Sequence, residues 1–304
     1  MAKAALADLF PGFAPRWIDV ADDVRLFARV GGEGPPLLLL HGYPQTHVGW
    51  RKVAPLLAER FTVVLPDLRG YGWSSVPPPV PENYAKRVMA RDMVGLMRAL
   101  GHERFALAGH DRGGRVGYRL ALDHPDRVAK LALLDIVPTE RMWAGFGRAR
   151  ALSAYHWAFL AQPAPFPETL IAADPTYFLE WTLASWTAAK TLDAFGCEAL
   201  NHYRAFFADP GRVAATCADY RAGATLDVAD DEADRAAGRR IGAPVLALWG
   251  EAGFPGQGGG RPIDVWRDWA DDVRGEAIAC GHFLPEEAPQ ATAKALLTFF
   301  GDLV

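Results

Sequence analysis

Three ionisable residues, far apart in the chain, have the types and settings to work as one unit. Asp111 sits in the middle of AGHDRGGRVGY (residues 108–118), with Gly109 and Gly113 two positions to either side. It closes an apolar run, RFALAGHD, and precedes a helical stretch. That spacing predicts a tight strand–turn–helix corner that exposes one side chain, with glycines where a Cβ would meet neighbouring backbone. Asp135 ends the next apolar run, AKLALLD, and so falls on the same edge of the sheet. His282 follows a strand-like stretch, GEAIACGH, ahead of a helix expected to begin near Glu286. Taken alone, Asp111 has a second reading as a helix N-cap. Nucleophile, acid and histidine in this chain order, each after a strand, match the template of a hydrolytic triad.

The nucleophile's chemistry narrows the reaction. A serine that attacked a saturated carbon would leave an ether, which a triad cannot cleave. A carboxylate leaves an ester, which water then opens at its carbonyl. Aspartate, with an ordinary pKa of about 3.9, is already ionised at neutral pH and needs no base for the attack. An aspartate at the corner therefore points to displacement at saturated carbon, in a halide or an epoxide. His282 would act in the second step as general base on water, its tautomer held by Asp135. The loop His41-Gly42-Tyr43-Pro44, at the end of PPLLLLHG, offers a backbone N–H toward the developing anion, and Arg112 N–H is the second donor.

Arg112 and Arg115 lie three apart at the start of the helix after Asp111, where the helix N-terminus adds positive potential. Guanidinium forks suit a carboxylate, and an acid group held there would set its α-carbon against Asp111. The competing reading is that both arginines only pair with nearby acids or tune Asp111.

The elements that must position these residues follow from the apolar pattern. Residues 17–30 read as two short strands around a turn. Short continuous apolar runs at 35–42, 61–67, 104–111, 129–136 and 243–250 suit strands buried on both faces of a parallel sheet. Helical stretches fall at 52–60, 85–100 and 115–123, so strand and helix alternate as in an α/β fold with right-handed crossovers. The rhythm breaks at Pro138. From there to Arg240 the chain is rich in Trp, Phe, Tyr and Ala with scattered prolines, which predicts helices. The organisation expected is a core of residues 1–137 and 241–304 with a helical cap of residues 138–240. The cap's last part, DVADDEADRAAGRR, reads as a solvated helix or linker. DLRGYGWS (67–74) reads as a structural turn, and GFPGQGGGRP (253–262) lacks the ending of a phosphate loop.

Composition sets outer bounds. Of 304 residues, 50% are hydrophobic and 22% charged, enough for a large core. A net charge of −4 gives no reason to expect nucleic acid as a partner. Cys197, Cys217 and Cys280 are odd in number and widely spaced, as reduced thiols would be. No apolar run approaches the ~20 residues of a membrane span, and the first residues lack a signal-peptide core. The expectation is a soluble, cytoplasmic protein that does not engage membranes.

HGYPQTH, DLRGYGWS, GHDRGGR, LLDI, YHWAFLAQP and CGHFLPEE, spread from residue 41 to 287, carry a family likeness. The whole chain resembles an α/β-hydrolase: a mostly parallel central sheet flanked by helices, with an inserted helical cap. Its local motifs resemble the fluoroacetate (haloacetate) dehalogenases. The resemblance implies hydrolysis of a short 2-haloacid, fluoroacetate to glycolate plus fluoride, through an aspartyl ester. It implies halide donors at His156 and Trp157 in AYHWAFLAQP and at Tyr220 in CADYRAG, and a homodimer. Water is the only co-reactant, so no metal or organic cofactor is implied. Haloalkane dehalogenases, which bind no acid group, carry a tryptophan where this chain has Arg112. Two departures bear on the substrate: Tyr43 stands where phenylalanine is expected, and the loop at 253–261, with Phe254, has no counterpart. An epoxide hydrolase shares the Asp–His–Asp logic but has no use for the two arginines. A non-catalytic ligand-binding protein of the same fold has no use for a full triad.

Overall fold

A computed structural model describes residues 6–254 and 261–303. Of the loop at 253–261, residues 255–260 lie outside the described residues. Eight strands form one sheet: β1 (Ala14–Ala21), β2 (Val24–Gly31), β3 (Pro36–Leu40), β4 (Thr62–Pro66), β5 (Phe105–His110), β6 (Val128–Leu134), β7 (Val245–Gly250) and β8 (Val273–Ile278). Their order is β1-β2-β4-β3-β5-β6-β7-β8. β2 pairs antiparallel with β1 and β4, and every other neighbouring pair is parallel. The central strands are the continuous apolar runs. Leu37–Leu40, Val63–Leu65 and Leu131–Leu134 are buried because helices cover both faces. The edge strands β1 and β8 alternate between exposed and half-buried residues.

Parallel strands need crossovers, and these bring the chemistry to one edge. His110 pairs in register with Leu134, so the next residues, Asp111 and Asp135, emerge side by side at the carboxyl ends of β5 and β6. Asp111 N–H donates to Leu134 O at 3.2 Å, and Asp135 N–H to Leu248 O at 2.8 Å. The helix after β5 runs Arg112–Asp123, three residues earlier than the sequence pattern suggests. The glycines 113 and 114 mask its start, yet they are what lets it pack against the sheet. His282 lies beyond β8 on a loop before the short Leu284–Glu287 helix, and the terminal helix is Pro289–Phe300.

Between β6 and β7 lie eight helices, from Thr139–Ala144 to Leu226–Ala236. The last of them corrects an expectation. It is helical, but three of its acids, Asp227, Asp231 and Asp234, are buried, while Asp230 is half-buried and Glu232 is exposed. Asp231 and Asp234 meet Arg119 at 2.9 and 2.5 Å, and Asp231 also accepts from Tyr118 Oη at 2.8 Å. Asp227 accepts from Lys86 N–H at 2.8 Å. These acids fasten the inserted helices to the helices of the core. Burial lifts Asp231 to about 6, with Arg119 and Tyr118 pulling the other way.

The turn at 67–74 is structural, as its glycines suggest. Asp67 accepts from the N–H groups of His47 at 2.8 Å and Trp73 at 2.9 Å, and Gly72 at φ +49° leaves room for it. Cys197, Cys217 and Cys280 are free thiols. No helix among the described residues is long and apolar enough to cross a membrane.

Candidate active site

Asp111 is held in a conformation that non-glycine residues rarely adopt, at φ +46° and ψ −117°. The corner leaves no room for larger neighbours. A Cβ at Gly109 would meet Gly113 O at 2.5 Å, and one at Gly113 would meet His41 O at 2.5 Å. Gly42 is equally constrained, since a Cβ there would lie 2.5 Å from Asp111 Cβ. That close approach lets Tyr43 N–H donate to Asp111 Oδ2 at 2.9 Å. Arg112 opens the helix, so its N–H has no intrahelical acceptor. Of the two sequence-predicted backbone donors, Tyr43 N–H thus meets the carboxylate directly, and Arg112 N–H lies at the open end of the helix next to it in the chain.

His282 Nδ1–H donates to Asp135 Oδ2 at 2.7 Å, and Asp135 Oδ1 accepts from Gly250 N–H at 2.9 Å. His282 Nε2 is buried with no protein partner. The backbone around it is tied down: His282 N–H donates to Trp186 O at 2.9 Å, and His110 Nε2–H donates to His282 O at 2.8 Å. Burial, helped by His282, pushes His110 down to about 3, so this ring is a neutral prop. Burial also opposes charge on His282, but the bond to Asp135 and the charges of Asp135 and Asp111 outweigh it and raise its pKa. Asp111 goes the other way. Burial would lift it, yet His282, His110, Arg112 and Arg115 together hold it below the ordinary carboxylate range. Asp135 is raised, by burial above all, against the bonds it accepts.

Both arginines are buried beside Asp111. Neither is a free fork. Arg112 is clamped by Asp219, and Arg115 Nη1 donates to Val137 O at 3.0 Å and Thr139 Oγ1 at 3.1 Å. The Trp157 ring lies against both guanidinium carbons, at 4.4 Å from Arg115 and 5.7 Å from Arg112. Packing on a π face helps two like charges share a dry site. Arg112 Nη1 and Arg115 Nε remain without protein partners.

The other sequence-predicted residues close the site from above. Tyr43 and Tyr220 meet edge to face with centroids 5.3 Å apart, and His156 lies 5.6 Å from Tyr220. Burial, with further contributions from Asp111, raises both tyrosines, so their hydroxyls stay protonated at neutral pH. Burial drives His156 well down, which leaves a neutral ring with one N–H to give. Trp186, which sequence reasoning missed, and Phe254 complete the wall. Trp186 lies 4.2 Å from His156, and Phe254 lies 4.9 Å from His282 and 5.2 Å from Trp186. Phe254 was a candidate for changing pocket size, and it is a wall of the site. A cavity of about 260 Å³ reaches His282 past Trp186 and Phe254, with Ser153, Tyr155 and Lys190 around it.

The most telling observation concerns polar atoms. Of the fourteen buried side-chain N and O atoms without a hydrogen-bond partner among the described residues, seven belong to this cluster: Tyr43 Oη, Arg112 Nη1, Arg115 Nε, His156 Nδ1, Trp186 Nε1, Tyr220 Oη and His282 Nε2. Each costs about 1–3 kcal/mol if left unmet. Folds tolerate such a concentration where a ligand will meet it. The set is rich in N–H and O–H donors, which suits an anion. Among the described residues no group of His, Cys, Asp or Glu could hold a metal ion. Sequence reasoning missed Asp219, Lys86, Tyr71 and Trp186. Only Asp219 left a local signal, as an acid directly before Tyr220 in CADYRAG.

An elbow at the carboxyl edge of a mostly parallel sheet, with an acid and a histidine from later strand ends, defines the α/β-hydrolase class. The family model for the alpha/beta hydrolase fold matches residues 35–289. A fluoroacetate dehalogenase from a Burkholderia species is 47% identical over 97% of this chain and 96% of its own length. A soluble epoxide hydrolase from Corynebacterium sp. (strain C12) is 35% identical over 92% of this chain and 94% of its own. A crystal structure from a Nostoc species, assigned to the α/β hydrolases, superposes with a TM-score of 0.91 at 51% identity, covering 95% of this chain and 98% of that one. The chain belongs to the fluoroacetate dehalogenase family of the α/β-hydrolase superfamily.

Proposed function

We propose that this enzyme is a hydrolase acting on carbon–halogen bonds, and that it converts short 2-haloacids, fluoroacetate among them, to the 2-hydroxyacid and halide. The observation that carries the reading is an ionised carboxylate at the elbow beside two buried arginines, each with an N–H still to give. The relative named fluoroacetate dehalogenase supports the same reaction class.

The substrate carboxylate would take Arg112 Nη1–H and Arg115 Nε–H, setting its α-carbon in line with Asp111. Asp111 Oδ2 is engaged by Tyr43 N–H, so Oδ1 is the attacking atom. Oδ1 forms a bond to the α-carbon as the carbon–halogen bond breaks, and the electron pair leaves with the halide. Trp157, His156 and Tyr220 would surround the departing ion with N–H and O–H donors. Fluoride is strongly hydrated in water, so fixed donors in a dry pocket contribute several kcal/mol to its departure.

In the second half, His282 Nε2 takes a proton from water, and the hydroxide so formed adds to Asp111 Cγ. The oxyanion forms on Oδ2, where Tyr43 N–H already points, and Arg112 N–H, which has no intrahelical acceptor, would be the second donor. Collapse breaks the bond between Cγ and Oδ1: Oδ1 leaves as the glycolate oxygen and takes the proton held on His282 Nε2, and the carboxyl group, now carrying water's oxygen, loses its proton to solvent to restore the carboxylate. The hole thus serves the enzyme's own carboxyl group. A fluoride electrode with fluoroacetate as substrate tests the proposal, with Asp111→Asn as control. Absence of fluoride and chloride release from haloacetates by the wild-type enzyme would overturn it. One observation favours a second reading, epoxide hydrolysis: two unpaired tyrosine hydroxyls, Tyr43 and Tyr220, in one pocket. Turnover of a neutral epoxide without halide release would select that reading.

A further inference from the structure

Arg112 reaches the pocket with one side already taken. Its Nε donates to Asp219 Oδ2 at 3.1 Å, and its Nη2 to Asp219 Oδ1 at 2.5 Å and to Asp219 O at 2.8 Å. Asp219 is fixed in turn. Tyr71 Oη donates to its Oδ2 at 2.9 Å, and Lys86 Nζ donates to its Oδ1. Lys86 Nζ also stands 3.4 Å from Asp227 Oδ2. All of these side chains are buried. The guanidinium packs over a residue of the Pro210–Ala224 helix, with Cζ 4.3 Å from the Tyr220 ring centroid. Gly223, one turn beyond Asp219, makes room for it: a Cβ there would stand 3.3 Å from Nη2 and 3.5 Å from Nη1.

Charge bookkeeping shows why orientation matters here. Arg112, Arg115 and Lys86 are matched by Asp111, Asp219 and Asp227, so the cluster is neutral before any substrate arrives. An incoming carboxylate therefore finds no surplus positive charge and depends on directed N–H groups. The anion next to Arg112 in the chain is Asp111 itself, whose charge interacts with the guanidinium. A two-pronged pair with Asp111 would satisfy both groups and disarm the nucleophile.

We propose that Asp219 is a positioning residue for Arg112: it occupies the Nε–Nη2 edge, so that the substrate carboxylate meets Nη1–H and the edge is kept from forking onto Asp111. This rests on the reading that Arg112 holds the substrate's carboxylate. Asp219 touches no reacting atom and acts through Arg112 alone.

The test uses the full chain with two probes of separate subsites. Acetate, as competitive inhibitor of chloride release from chloroacetate, reports the carboxylate subsite. Bromide, followed by quenching of tryptophan fluorescence, reports the halide subsite. Asp219→Ala is expected to weaken acetate binding by about tenfold or more while bromide affinity stays within about twofold. Asp219→Asn keeps an acceptor for Arg112 and should hold acetate to within about threefold of wild type. Should the alanine variant not fold, Asp219→Glu serves. It keeps the charge but displaces the edge by a methylene, and should weaken acetate about fivefold with bromide unchanged. Unchanged acetate binding in the alanine or glutamate variant overturns the proposal, as does an equal loss of both probes, the sign of general loosening. A wild-type enzyme indifferent to acetate sinks the carboxylate reading itself, so the two failures are distinguishable.

Discussion

Replacing His282 by glutamine should split the reaction into its two halves. The first half needs only an ionised Asp111. Losing His282 removes one of the groups that hold the Asp111 pKa down, but His110, Arg112 and Arg115 remain to offset burial. Even a return to the ordinary value of 3.8 leaves the carboxylate charged at pH 7. Alkylation should therefore stay within about threefold of wild type. The second half loses its general base. That is worth roughly 10²–10⁴-fold, so a fall of about 1,000-fold, or about 4 kcal/mol of barrier, is expected in turnover. Glutamine cannot accept a proton from water and leaves Asp135 without its 2.7 Å bond. Rapid-quench measurement with chloroacetate should give a burst of one chloride per active site and then near silence. Intact-protein mass spectrometry should show one added carboxymethyl group, and peptide mapping should place it on Asp111. A variant that turns over repeatedly, or one that shows no burst, would refute the two-step reasoning.

Three further outcomes follow from the same geometry. Ester hydrolysis requires neutral His282, whose pKa is raised in the free enzyme partly by the charge of Asp111. Esterification removes that charge, so decay of the intermediate should slow only as pH falls through a pKa below the one NMR titration finds for the free enzyme, while the halide burst stays flat across that range. Tyr43→Phe removes a buried, unpartnered hydroxyl. Stability to urea should rise by about 1 kcal/mol, with the substrate range moving toward larger halogens in side-by-side halide-release assays. Gly113→Ala places a Cβ against backbone, 2.5 Å from His41 O and 2.6 Å from Leu40 C. A cost of about 3 kcal/mol, or a Tm lower by roughly 5–10 °C in calorimetry, is expected, together with lost halide release.

How much of this was legible in the chain depends on the range over which each feature is decided. The apolar runs ending in Asp111 and Asp135 could be read locally, because the fully buried stretch of a central parallel strand is apolar on both faces and the acid that follows it marks its carboxyl end. The chemistry expected of Asp111 is also read locally, because it follows from the residue type: a carboxylate that attacks saturated carbon leaves a cleavable ester. Gly109 and Gly113 marked the corner, although Gly113 and Gly114 also hid the first turn of the helix they permit. The acidic stretch at 227–234 misled in the opposite direction. Four aspartates in one alanine-rich run look solvated, and contacts with Lys86, Tyr118 and Arg119, more than a hundred residues away, bury three of them, Asp227, Asp231 and Asp234.

The two arginines mark the division most clearly. Residue order alone shows that two fixed positive charges stand beside a carboxylate, Asp111, at a helix N-terminus. Tertiary structure alone decided which of their N–H groups remain free. Asp219 takes one edge of Arg112 from another helix, while Val137 O and Thr139 take Arg115 Nη1. A side chain's identity sets what it can donate, and long-range packing sets which of those donors is left for a substrate.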